Sequence, residues 1–157
     1  MPPDHAGRSA IDEATAAFLG ENDRAYLYVR AADGAPRGWP MTARYDAGVL
    51  VMTTYRKSAK MVHLGSASPV TLVVTCDEGV EPVRYAVAHG MLRISDIDAG
   101  NADAVIRRMR FRDQLVGSPH RSRYRERLMQ GKRVLLEVDV ARAELFTMDS
   151  GMSRSAA

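Results

Sequence analysis

The chain of 157 residues contains one cysteine, one tryptophan and only 6% aromatic residues. A lone cysteine, Cys76, excludes an internal disulfide and any multi-cysteine zinc site, and it fits a reducing compartment. Lying in Leu72-Val73-Val74-Thr75-Cys76, it reads as a small buried hydrophobe in a strand. No run approaches the roughly 18 apolar residues of a membrane span. The start, Met1-Pro2-Pro3-Asp4-His5, lacks a basic-then-apolar signal pattern. These absences point to a cytoplasmic protein with no membrane partner. Catalytic signatures are equally scarce. The nearest approach to a serine-hydrolase elbow, Gly65-Ser66-Ala67-Ser68-Pro69, lacks its second glycine. The histidines at 5, 63, 89 and 120 never fall three or four residues apart, so no metal site is expected. His89 reads as a hydrogen-bonded strand residue and His63 as a half-exposed one.

What is present is an ordinary globular composition, 46% hydrophobic and 26% charged, of a length that makes one domain over residues 1–157. Folding such a chain buries roughly 68–70% of its extended surface, enough for a core without staples. The net charge of +3 is unevenly spread: Arg107 to Arg133 holds ten Arg or Lys against two acids, Asp113 and Glu126. That segment attracts anions, and it reads as a solvated helix face, an anion tether or a nucleic-acid contact. Only Phe111 and Tyr124 interleave aromatics with its cations, which makes nucleic acid the weakest of the three.

Hydrophobic periodicity divides the chain. Residues 1–8 and 150–157 carry no apolar period and are expected to be frayed. Ser9, Asp12 and Glu13 resemble a capping arrangement for a helix that carries Ile11, Ala14, Phe18 and Leu19 and stops at Gly20. Strands are expected at 25–30, after which Asp33-Gly34 and Pro36 turn the chain, at 40–45 and, past Asp46-Ala47-Gly48, at 49–54. The last of these is apolar on both faces and therefore central. A short helix follows from Ser58, its cap, to Leu64. Further strands are expected at 69–76, 83–94, 134–140 and 143–148, with a bulge at His89-Gly90 that lets the sheet curl. Two late helices complete the pattern, Asn101 to Val116 and Ser118-Pro119 to Gln130. The result is a mainly β, α+β chain: an antiparallel barrel of about seven strands with three or four helices.

The segment Thr53-Thr54-Tyr55-Arg56-Lys57-Ser58-Ala59-Lys60 packs three cations and four hydroxyls into the junction of the central strand with a helix start. Backbone amides, hydroxyls and charge-assisted bonds from Arg or Lys suit a phosphate dianion there. A polar turn with solvated cations is the alternative.

The order of these pieces, from Phe18-Leu19 through Asp33-Gly34-Ala35-Pro36, Asp46-Ala47-Gly48-Val49-Leu50-Val51-Met52-Thr53-Thr54, Arg56-Lys57-Ser58-Ala59-Lys60, Leu64 and Ser68-Pro69 to Gly90, resembles the pyridoxamine 5'-phosphate oxidase-like flavin-binding split-barrel superfamily. The resemblance spans roughly residues 14–95 and weakens towards residue 148. It implies a split β-barrel of six or seven antiparallel strands that binds FMN at a homodimer interface. The related deazaflavin coenzyme with its polyglutamate tail is the alternative cofactor. Carried over by residue, Thr53 and Thr54 flank the ring or ribityl chain, and Ser58 and Lys60 hold the phosphate. Met41, Thr42 and Ala43 lie on the strand that runs along the ring edge.

The true oxidases carry Arg where this chain has Ala59 and Lys where it has Ala43, with Arg56, Lys57 or Arg44 as compensating cations. Their C-terminal Trp and Arg motifs are absent, so vitamin B6 oxidation is not supported. A flavin performs the hydride transfer itself, to or from a small molecule, which accounts for a site without an acid/base pair. On this reading the basic segment is a solvated helix face or else a tether for a nicotinamide cofactor or the polyglutamate tail. The rival of another class is a non-catalytic flavin- or haem-binding module, or a basic nucleic-acid adaptor.

Overall fold

The computed structural model describes residues 11–109 and 119–148. Both expected frayed ends, Ser9, and the second half of the helix expected to reach Val116 lie outside the described residues. Helix α1 (Glu13–Glu21) opens where the Asp12 carboxylate accepts the Thr15 N–H at 2.8 Å. That hydrogen bond holds the Asp12 carboxyl below its ordinary value. Gly20 does not stop the helix as expected. The chain continues to Asn22, whose backbone N–H and side-chain amide both reach the Phe18 carbonyl, at 3.1 and 2.9 Å. A single interior glycine costs a helix only about 1 kcal/mol, and burial of Phe18 and Leu19 in the core outweighs it.

Seven strands follow: β1 (Arg24–Arg30), β2 (Pro36–Thr42), β3 (Arg44–Asp46), β4 (Val49–Tyr55), β5 (Pro69–Thr75), β6 (Val83–Asp96) and β7 (Arg133–Met148). They pair antiparallel in the order β2-β1-β5-β6-β7-β4-β3, an open sheet rather than a closed barrel. A 3-10 turn, Ala59–Val62, stands where a short helix was expected, and α2 (Ala102–Met109) and α3 (Pro119–Met129) precede β7. No helix among the described residues is long and apolar enough to cross a membrane.

The strand count agrees with expectation through two differences that offset each other. The expected strand 40–45 is two: β2 already starts at Pro36, because Gly34 at φ +82° and the Asp33 carboxylate bonded to the Ala35 N–H complete the turn before it. Ala43 separates β2 from β3 by giving its N–H to the Asp23 carbonyl at 2.8 Å. The expected pair 134–140 and 143–148 is one strand, β7, with Ala141 unpaired. Opposite it the register shifts between His89 and Gly90, so that Gly90 faces Val140 and His89 faces Arg142. This is the expected bulge, and Gly90 is required there because a Cβ would run into the Asp139 carbonyl.

Alternation along the strands sorts the core into two clusters. Ala25, Leu27, Leu50, Met52, Leu72, Val74, Ala88, Leu92, Leu136 and Val138 fill the concave side with Phe18 and Leu19. On the convex side Val51 and Leu135 pack under Val105, Ile106 and Met109 of α2 and Leu128 of α3. Strand β4 is thus buried on both faces, as its apolar run predicts. Cys76 falls one residue past β5 and is only partly buried against the core.

Part of the basic segment is structural. Arg108 bridges Asp46 at 3.2 Å and Glu137 at 2.7 Å, and Arg125 holds Asp103 at 3.0 Å. Asn101 does not cap α2; its side chain accepts the Asp98 N–H and donates to the Asp96 carbonyl, closing the preceding turn.

Two alanine substitutions test this architecture with opposite signs. Nothing lies within 4 Å of a Cβ built at Gly20. Gly20→Ala should therefore stabilise by about 0.5–1 kcal/mol in urea unfolding. Gly90→Ala should destabilise by about 1–3 kcal/mol through forced backbone displacement at the bulge.

Candidate cofactor-binding site

The end of β4 presents two different surfaces, because strand side chains alternate. Thr54 follows Leu50 and Met52 to the concave side and is 4% exposed. Thr53 follows Val51 to the convex side. The two threonines expected together beside a ring therefore face opposite ways.

On the concave side the Lys60 ammonium donates to the Thr54 hydroxyl at 3.2 Å. Lys60 reaches it because the chain reverses tightly: the Ser58 N–H bonds the Tyr55 carbonyl, and the Met61 N–H bonds the Ser58 carbonyl, both at 3.0 Å. Ser58 heads the 3-10 turn, yet its hydroxyl makes no capping bond. Among the described residues Lys60 has no carboxylate partner. A half-buried cation and two hydroxyls, one of them uncommitted as a cap, therefore share this strand end. A turn of four residues has almost no macrodipole, so the attraction for an anion comes from Lys60 and the exposed Lys57 rather than from a helix terminus.

On the convex side Arg133 donates to the Thr53 hydroxyl at 3.1 Å and lays its guanidinium 4.2 Å from the centre of the Tyr55 ring. The Tyr55 phenol is held below its ordinary value, first by the hydrogen bond from Arg133 and then by that arginine's charge, with Arg127 and Lys132 adding to it. Arg56 is tied to the Asp96 carboxylate at 2.6 Å and to the Gly131 carbonyl at 3.2 Å. It leans towards β6 and α3 and away from Lys60. Arg44 is likewise held, by Asp23 at 2.9 Å.

The β2 residues reach the same region by a route that their periodicity does not reveal. Trp39 stacks on His63, with ring centroids 5.9 Å apart and planes 23° apart. This contact draws β2 alongside the 3-10 turn, and Met41 and Met61 pack against the concave core nearby. Thr42 is exposed on the other side of β2. Ala43 is fully buried, its N–H already bonded to Asp23. Trp39 and His63 are the contact that sequence reasoning missed. Alternation of Trp39 with Met41 places the indole inward, but nothing local indicates which turn it meets. His89 on β6 is hydrogen-bonded as expected, its Nδ1 lying 2.9 Å from the Thr71 hydroxyl of β5.

No protein-family model and no curated protein matches the sequence. Solved structures are similar in fold at low sequence identity. The protein Rv2991 from Mycobacterium tuberculosis superposes with a TM-score of 0.63 at 17% identity, covering 90% of this chain and 88% of that one. An FAD-binding protein from Mesorhizobium loti superposes with a TM-score of 0.63 at 15% identity over 86% and 93% of the two chains. An F420 reductase gives 0.57 at 17% identity over 85% and 98%. With its open, curled sheet of seven antiparallel strands, its flanking helices and these neighbours, the chain has a split-barrel α+β fold.

Proposed function

We propose that this chain is an oxidoreductase that binds a flavin phosphate, FMN ahead of the tailed deazaflavin coenzyme, and passes hydride to or from a small molecule. The observation that carries the reading is the Lys60 ammonium, without a carboxylate, bonded to the Thr54 hydroxyl at the strand end where the Ser58 hydroxyl makes no capping bond. A phosphate fits that donor set, since it accepts from hydroxyls and offsets the lysine charge. The shared fold adds support, because similar structures are described as an FAD-binding protein and an F420 reductase.

When bound, a flavin supplies a ring that takes or gives hydride, so the protein needs to hold and orient it. Lys60 and Ser58 would hold the phosphate, and Thr54 sets the position of the lysine ammonium. Trp39, stacked on His63 just past the 3-10 turn, and the half-buried Met41 on the same strand as Trp39 would wall the ring. Thr53, turned to the convex side and bonded to Arg133, would meet the cofactor only through its backbone.

A second copy of the chain belongs to this reading. The convex face carries Tyr26, Val83, Phe146 and Met148 at 38–58% exposure, with Tyr85 stacked on Phe146 at 5.1 Å. An apolar sheet face of this kind is suited to a two-fold partner.

Two measurements test the reading. In fluorescence titrations the protein should bind FMN at least tenfold more tightly than riboflavin, which has the same ring without phosphate. Lys60→Ala should weaken FMN binding by about 1.5–3 kcal/mol while leaving riboflavin unchanged. Equal affinity of the wild-type protein and the variant for FMN would sink the clamp. For the partner, light scattering at micromolar concentration should give twice the chain mass, and Phe146→Glu should give monomers with an unchanged circular dichroism spectrum. A monomeric wild-type protein would rule out the shared face.

A further inference from the structure

The bulge has a consequence on the convex face, midway along β7 and away from the Lys60 clamp. The register sets Tyr28 opposite Thr71, Thr71 opposite His89, and His89 opposite Arg142. A phenol, a hydroxyl, an imidazole and a guanidinium thus form one row across β1, β5, β6 and β7. Without the bulge, continuation of the Gly90–Val140 pairing would place Ala141 opposite His89. The bulge is what brings Arg142 into the row. Arg30, two residues beyond Tyr28 on the same face of β1, stands beside its end.

This row borders a groove of about 650 Å³, with Met91 among its apolar walls. That volume is in the range of small-molecule clefts, roughly 300–1,000 Å³. Arg142 also borders an adjoining cleft of about 260 Å³ with Val87, Phe146 and the Glu144 carboxylate, which forms no ion pair with it. Arginines elsewhere on the sheet are engaged within the molecule, Arg84 over the Phe18 ring, Arg133 over the Tyr55 ring and others with carboxylates. Arg24, Arg37, Arg44, Arg56, Arg93, Arg108 and Arg125 each hold a carboxylate. Among the described residues Arg30 and Arg142 hold none, and no carboxylate lines the larger groove. When the Thr71 hydroxyl donates to His89 Nδ1, the ring proton sits on Nε2, so the imidazole adds a donor.

We propose that this groove binds a small organic anion with an apolar body, an aromatic or branched carboxylate. Its planar oxyanion is held by the Arg142 guanidinium with Arg30 and His89, and its apolar part lies against Met91 and the Tyr28 ring. A guanidinium fork matches carboxylate geometry, and the apolar walls supply what a bare inorganic anion has no use for. The site is separate from the Lys60 clamp, and it shares the convex face with the proposed contact of a second copy, whose Phe146 borders the adjoining cleft, so the chain is titrated in its native assembly. Arg142 stands eight residues along β7 from Val134, the partner of Thr54, which is roughly 26 Å of strand.

Isothermal titration calorimetry of the full chain with 2-naphthoate, its neutral isostere 2-naphthamide and inorganic phosphate tests this. One naphthoate should bind per chain, at least tenfold more tightly than naphthamide and at least tenfold more tightly than phosphate. Arg142→Gln should weaken naphthoate about tenfold without changing naphthamide. The double variant Arg30→Gln, Arg142→Gln should abolish the preference for the charged form, with circular dichroism reporting the fold. Naphthoate should also shift the His89 imidazole resonances. Equal binding of naphthoate and naphthamide, or undiminished naphthoate binding by the double variant, would overturn the proposal. Phosphate binding as tightly as naphthoate would overturn the apolar-body assignment. Loss of naphthoate binding in Lys60→Ala would place the anion at the lysine clamp and overturn the site.

Discussion

The fold depends on the bend in the β6–β7 ladder at Gly90 and Ala141. Up to Asp139, β7 is paired on both sides, with β4 and with β6; beyond Val140 only β6 accompanies it. The strand must turn at the point where one partner leaves. The unpaired Ala141 provides the bend, and Gly90 lets the opposing backbone approach the Asp139 carbonyl. Because the ladder bends, one continuous sheet curls around Phe18, Leu27, Met52, Leu72 and Leu136. Its two outer regions, β2 and the β4 turn, then meet through Trp39 and His63. The lysine clamp and the convex groove both follow from that curl, one beside the start of β7 and the other beside its bulge.

Features that depend on neighbours in sequence were legible. The run Val49 to Thr54 reads as buried on both faces and is so. Asp46-Ala47-Gly48 reads as a turn, and Ala47 and Gly48 take φ +46° and +88°, the conformation of a tight hairpin. The glycine inside the long strand reads as a bulge and is one. Caps were less legible, because a hydroxyl or amide side chain has several backbone groups within reach. Ser58 and Asn101 sit where caps belong, yet one makes no capping bond and the other closes the turn before its helix. The single strand β7 was hidden because a bulge and a loop look alike locally, with Ala141 and Arg142 interrupting an apolar alternation in either case.

At the candidate site, the cluster of hydroxyls and cations was legible and its division was not. Strand alternation sends Thr54 and Thr53 to opposite faces. Arg56 and Arg44, readable only as available cations, are held by Asp96 and Asp23, residues distant in sequence. The basic segment behaves likewise: Arg108, Arg125 and Arg133 serve contacts within the molecule. Net charge locates cations, but the acids that hold them are chosen by tertiary pairing. The informative cations are therefore Lys60, Arg30 and Arg142, which none of these carboxylates holds.

The central claim is that this split barrel holds a flavin-type cofactor. Its most direct test is the absorption spectrum of the protein incubated in turn with FMN and with the deazaflavin coenzyme and then freed of unbound ligand by gel filtration. The account predicts that the chromophore's bands travel with the protein at close to one per chain, FMN being retained the more strongly. A colourless protein peak after both incubations would contradict it.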